Sequence, residues 1–195
     1  MSEKIRVTVL VSGGGTNLQA LIDSIKGGSL KEADIVLVVS NRKDAFALDR
    51  AKKAGIKTAV ITDTEELIKA LEQARTDLIV LAGYMSILQP DVIKKFRRRI
   101  INIHPSLIPK YCGKGFYGER VHKAVLLGGE KVTGATVHFV DEGVDTGEII
   151  LQREVPVIDG DDDKTLAARV LETEHRILPE AVKILCKKIT GGNIK

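Results

Sequence analysis

Tryptophan is absent from this 195-residue chain, and four phenylalanines and three tyrosines are its only aromatic residues. A stacking surface for nucleic-acid bases needs more rings than that, so no nucleic acid is expected as a partner. The only cysteines, Cys112 and Cys186, stand far apart and form no disulfide framework, which points to a reducing, cytoplasmic setting. No apolar run approaches the roughly 18 residues of a membrane span. Met1-Ser2-Glu3-Lys4 leads straight into a strand-like segment without a signal-type apolar stretch, so no membrane is expected either. The four histidines, His104, His122, His138 and His175, show no ligand spacing with one another or with cysteine, and no metal is expected. A nucleophile elbow, Gly-x-Ser-x-Gly, is missing, and so is a Gly-Lys-Ser/Thr phosphate loop.

What remains is an ordinary globular composition, with 44% hydrophobic and 29% charged residues and a formal net charge of +4. That charge suits acidic small molecules. The basic run Arg97-Arg98-Arg99 reads as a solvated end of a helix.

Apolar strand-like runs alternate with helix-like segments along the chain. Strands are expected at Ile5–Val11, Ile35–Val39, Thr58–Ile61, Leu78–Ala82, Ile100–Ile103, Ala135–Val140 and Ile149–Val155. Helices are expected over Leu18–Ile25, from a cap at Asp44 to Ala54, behind a Thr62/Glu65 capping box, over Pro90–Phe96, and over Arg120–Leu127. A long last helix should begin near Asp161-Asp162-Asp163, with Pro179 kinking or interrupting it. Continuous apolar strands between helices mean an α/β fold: a doubly wound, mostly parallel sheet covered on both faces, with its last strands antiparallel. One domain, 1–195, is expected. In such sheets ligands bind beyond the carboxyl ends of the strands.

After the first strand comes "SGGGTNL", in which Gly13, Gly14 and Gly15 precede a helix starting near Thr16 and Asn17. Glycines allow close backbone approach and the helix start offers free N–H groups, so the segment is either a cradle for a single phosphate or a plain tight turn. A dinucleotide site is disfavoured, because Leu18 replaces the third glycine and the second strand ends in Ser40-Asn41-Arg42 without an acid. The fourth strand ends "LAGYMSIL"; Met85, Ser86, Ile87 and Leu88 line a flat apolar slot or simply pack in the core. The fifth carries Asn102 and His104 on one face and Ile101 and Ile103 on the other. An amide and an imidazole there are either satisfied structural groups or chemistry, and Pro105 and Pro109 stiffen the exit. The later "DEGVDTG" brings Asp141, Glu142 and Asp145. An aspartate reaching the imidazole would orient it and raise its pKa. Cys112 has nothing near it in sequence that would lower its pKa.

Taken together, "SGGGTNLQA", "LAGYMSIL", "NIHPSLIPKY", "GATVHFVDEGVDTGEIILQ" and "ETEH" resemble the folate formyltransferase family, in order from Val7 to about Leu185. The glycine loop with the late Glu-His is similar to the branch that formylates phosphoribosylglycinamide in purine synthesis. The resemblance implies direct transfer of a formyl group from 10-formyltetrahydrofolate to an amine, without a covalent intermediate. It also implies roles: Gly13 to Asn17 for the phosphate, Glu174 for the ribose, and Asn102, His104 and Asp145 for catalysis, with Asp145 keeping the imidazole cationic. Met85 to Leu88, Asn102, and Val140, Asp141, Glu142, Gly143, Val144 and Asp145 would hold the folate. Small-molecule partners and a monomer or homodimer follow. Departures from the family pattern are Ser86 in place of a common arginine, a longer "YCGKGFYGERVH" loop, and a short segment before Leu78. His138 is a supporting candidate. Alternatives are another folate-dependent formyltransferase, a formyltetrahydrofolate hydrolase, or a noncatalytic nucleotide-phosphate-binding module.

Overall fold

Strands that are apolar on both faces can only be buried between two layers of helix, and the chain is built that way. The computed structural model describes residues 4–192; Met1-Ser2-Glu3 and both limits of the expected 1–195 domain lie outside the described residues. In chain order the elements are β1 (Ile5–Val11), α1 (Thr16–Lys26), β2 (Ala33–Ser40), α2 (Phe46–Lys53), β3 (Thr58–Val60), α3 (Thr64–Gln73), β4 (Leu78–Leu81), α4 (Pro90–Lys95), β5 (Ile100–His104), α5 (Glu119–Leu127), β6 (Val132–Phe139), β7 (Ile149–Pro156) and α6 (Asp163–Thr190). The strands form a single sheet in the order β3-β2-β1-β4-β5-β6-β7. The first five run parallel, and β6 and β7 complete the sheet by antiparallel pairing. The reversal of strand order between β1 and β4 opens a crevice at their carboxyl ends.

Side-chain alternation sorts the core into two clusters. Val7, Val9 and Val11 of β1, Val80 of β4, and Ile101 and Ile103 of β5 join the cluster containing α1 and α6 residues. Leu10, Ile79, Leu81 and Ile100 point the other way, to Leu67 and Leu71 of α3 and Val92 and Ile93 of α4. On β5 this second cluster ends at Ile100, so Asn102 and His104 continue its face beyond the apolar core. That is why a strand so apolar can carry two polar side chains.

Three local expectations are corrected. The N-cap of α3 is Asp63, whose side chain accepts from Glu66 N–H at 2.9 Å, and Thr62 does not cap it. Helix α2 starts behind Ala45 without a side-chain cap, while Asp44 pairs with Arg42. Pro179 does not interrupt α6, which runs 28 residues. Ile177, Leu178, Pro179, Ala181 and Val182 are all buried there, and that packing outweighs the hydrogen bond proline cannot make. The acidic start of α6 is as expected: Asp162 accepts from Thr165 N–H at 2.8 Å and Thr165 Oγ1 accepts from Asp162 N–H at 2.9 Å.

Candidate active site

Where β5 ends, antiparallel pairing sets His138 of β6 opposite Asn102 and Thr136 opposite His104. The loop after β6 then folds back. Its turn is set by Asp141, whose Oδ1 accepts from Gly143 N–H at 3.1 Å and Thr146 Oγ1 at 2.6 Å. A side chain at Gly143 would run into Thr146. The loop delivers Asp145, 43 residues along the chain from Asn102, into the same spot.

Asp145 is the hub of that spot. Its Oδ2 accepts from Gly113 N–H at 2.9 Å and lies 3.6 Å from His104 Nδ1. Its Oδ1 is 3.4 Å from Asn102 Nδ2 and 3.4 Å from His138 Nε2. Burial opposes ionisation of the carboxyl, but the His138 contact, the Gly113 N–H and the two imidazoles outweigh it and hold Asp145 below the usual carboxylate range.

Backbone carbonyls set the tautomers of both rings. His104 Nε2 is 2.9 Å from the Tyr111 carbonyl, which can only accept, so Nε2 carries the proton and Nδ1 faces Asp145. His138 Nδ1 donates in the same way to the Phe139 carbonyl at 2.8 Å, and Asn102 Nδ2 lies 3.2 Å from its Nε2. The residues that hold His104 are themselves held in an unusual backbone shape: Tyr111 has φ 52° and Asp145 φ 57°. Left-handed backbone costs a side-chain-bearing residue of order 1–3 kcal/mol and persists where the surroundings enforce it.

One expectation is reversed here. Burial is the larger effect and sets the imidazole below its ordinary 6.5, although the Tyr111 carbonyl and Asp145, which does reach His104, both pull its pKa upward. At neutral pH the resting ring is therefore neutral. Cys112 is no rival centre, since burial and Asp145 push its thiol pKa up.

At the far side of the crevice the glycine loop meets α1 and α6. Gly15 has φ 73°, and a Cβ there would stand 2.5 Å from Ala47 Cβ. Helix α1 has glycine at its N-cap and no side-chain cap for its first N–H groups. Behind them, Asn17 Nδ2 donates to Glu174 Oε2 at 2.5 Å, joining residues 157 apart in sequence. Both are buried, and Asn17 Oδ1 has no hydrogen-bond partner among the described residues. Burial pushes Glu174 up to about 7, with the Asn17 bond working the other way.

The expected folate residues are divided. Met85, Ser86 and Ile87 are exposed, whereas Leu88 is buried in the second core cluster. Val144 is exposed and Val140 packs against that same cluster. Exposed apolar Met85, Ile87 and Val144 suit a flat aromatic ring system. Sequence reasoning missed a polar chain beneath this slot. Ser12 Oγ donates to Asn41 Oδ1 at 2.7 Å, Asn41 Nδ2 donates to Ser86 Oγ at 2.6 Å, and Met85 N–H donates to Ser12 Oγ at 2.8 Å. Gly113 and Tyr111 were also missed, because both contribute backbone atoms that no residue type announces. His138 was legible only as a histidine alternating with Thr136; its partner depended on strand register.

The formyl transferase family profile matches residues 5–182, and the chain belongs to that family. Phosphoribosylglycinamide formyltransferase of Escherichia coli (strain K12) is 40% identical over 184 residues, 90% of this chain and 84% of that protein. The trifunctional purine biosynthetic protein adenosine-3 of Drosophila melanogaster is 46% identical over 190 residues, 92% of this chain; the chain spans only 14% of that protein's length. The crystal structure of glycinamide ribonucleotide transformylase 1 from Symbiobacterium toebii superposes with a TM-score of 0.89 at 40% identity, covering 96% of this chain and 90% of that one.

Proposed function

We propose that residues 1–195 act as one formyltransferase domain that moves the formyl group of 10-formyltetrahydrofolate to the amine of 5-phosphoribosylglycinamide in purine biosynthesis. The observation that carries this reading is the convergence of Asn102, His104, His138 and Asp145 at the end of β5. Family membership and the named relatives support it. When bound, the folate supplies an electrophilic formyl carbon.

Asn102 Nδ2 is the donor for the negative charge that builds on the formyl oxygen, a contribution of about 2.7–4 kcal/mol per donor at comparable sites. His104 Nδ1, neutral at rest, takes the proton that the amine loses and returns it to the leaving nitrogen. Asp145, ionised throughout, stabilises the imidazolium while it exists and orients the ring. Gly13 to Asn17 hold the phosphate and Glu174 the ribose hydroxyls. Met85, Ser86, Ile87 and Leu88, with Val140, Asp141, Glu142, Gly143 and Val144, wall the folate slot. On this reading the partners are small molecules, with no nucleic acid or membrane, and the protein works in the cytoplasm as a monomer or homodimer. Among the described residues, no helix is long and apolar enough to cross a membrane.

The test mixes purified protein with both substrates and follows tetrahydrofolate formation. Transfer that requires the amine is expected. Folded protein that yields no product overturns the assignment, and formate release without the amine makes it a hydrolase.

A further inference from the structure

Three consecutive carbonyls of the glycine loop are all bonded on the protein side. Gly13 O accepts from Ala47 N–H at 3.0 Å, Gly14 O from Arg50 Nε at 2.8 Å, and Gly15 O from Gln19 N–H at 2.9 Å. A trans peptide is planar, with its N–H opposite its C=O. Each bonded carbonyl therefore turns the next residue's N–H away from its partner. The N–H groups of Gly14 and Gly15 are so turned away from α2, and Thr16 N–H is turned away from the first turn of α1, where no side chain caps the helix. A carbonyl swinging to that side would repel an anion, so what holds the carbonyls back decides whether the loop binds one.

Two of the three bonds are secured by the backbone, and the third depends on one side chain. Arg50 reaches from α2 to Gly14, is braced by a second contact from Nη1 to Gln19 Oε1 at 3.3 Å, and lies over the Phe46 ring at 5.1 Å. Its charge also bears on His175, on the same helix as Glu174. We propose that Arg50 is a positioning residue for the substrate phosphate: it fixes the Gly14–Gly15 peptide so that the glycine loop presents N–H groups, and not a carbonyl, to the anion. This rests on the reading of the loop as a phosphate cradle.

The experiment compares the unaltered enzyme with Arg50→Met and Arg50→Lys, using steady-state kinetics and inorganic phosphate as a competitive probe. In the unaltered enzyme, phosphate competes with phosphoribosylglycinamide; if it does not, the cradle reading itself fails. Arg50→Met is expected to raise KM for phosphoribosylglycinamide and the phosphate inhibition constant in parallel by about tenfold, the scale of one lost hydrogen bond from a charged donor. Its kcat and its KM for the folate should stay within about twofold, below the scale of one hydrogen bond. Arg50→Lys, which keeps the charge but not the Nε–H fork, should recover only a minor part. Phosphate competition with no change in Arg50→Met overturns the role of Arg50, and so does full rescue by lysine. An equal rise in the folate KM, or a circular-dichroism spectrum unlike that of the parent, would mean general disruption and overturns it as well.

Discussion

The crevice holds two largely buried carboxylates that titrate in opposite directions. Asp145 has two donors, the Gly113 N–H and the Asn102 amide, and two imidazoles that can take up positive charge beside it, and it stays ionised against its burial. Glu174 has the Asn17 amide as its hydrogen-bond donor, and burial lifts it to about 7. Burial alone therefore does not set the charge of an acid in this protein; the number of donors delivered to it does. The two ends of the site are divided accordingly. One keeps a negative charge next to a neutral imidazole, and the other keeps a carboxyl whose charge changes near neutral pH.

The comparison breaks most visibly at the Asp145 end. Replacing Asp145 with Asn, or His104 with Ala, should lower kcat by about 10²–10⁴-fold while leaving KM for phosphoribosylglycinamide within a few-fold, the usual scale of lost acid–base catalysis. Equal losses in binding and rate would make the cluster structural. Asn102→Ala should cost about 10²–10³ in kcat, as for one lost oxyanion donor, again with little change in KM.

At the Glu174 end the expected loss is in binding. Glu174→Gln should raise KM for phosphoribosylglycinamide by about tenfold, with kcat nearly unchanged. The same variant has a stability signature. The folded protein keeps a proton on Glu174 that the unfolded chain releases between pH 4.5 and about 7, so stability falls as pH rises through that window. Glutamine removes this fall, and denaturant melts at pH 8 should show the variant gaining about 2–4 kcal/mol over the parent, with no gain at pH 4. A gain of equal size at both values would mean that the carboxyl does not titrate there.

The smallest effect is the most specific. His104 must be neutral to accept a proton, so kcat should fall only as pH drops below the ordinary histidine value of 6.5. Asp145 favours the charged ring, so the residual activity of Asp145→Asn should lose its acid limb at a still lower pH. A limb that moves up would reverse the sign of the interaction.

Much of this site was legible before the fold was known. Of the three loop glycines Gly15 marks a close backbone approach, to Ala47, and Asn102 with His104 stand out on a strand whose other face is Ile101 and Ile103. The strands were legible to within two residues, except that β6 starts at Val132, three residues before the expected Ala135, because apolar runs flanked by glycine and helix signals have few other uses. Helix starts were less so: Asp63, not Thr62, caps α3, and Ala45, not Asp44, precedes α2, since neighbouring residues of similar capping ability are separated only by where the chain enters the helix. Pro179 misled because its cost is local whereas the burial that offsets it comes from the sheet below.

Periodicity and residue type by themselves determined the layered α/β sheet, the glycine loop and the polar face of β5, because each is a property of neighbours along the chain. Only the tertiary structure decided that His104 is neutral at rest, that Asp145 and Glu174 titrate oppositely, and that Arg50 bonds the Gly14 carbonyl. Charge state and peptide orientation depend on donors brought from other elements, and the register of β6 on β5, the turn at Asp141 and the position of α2 are what bring them.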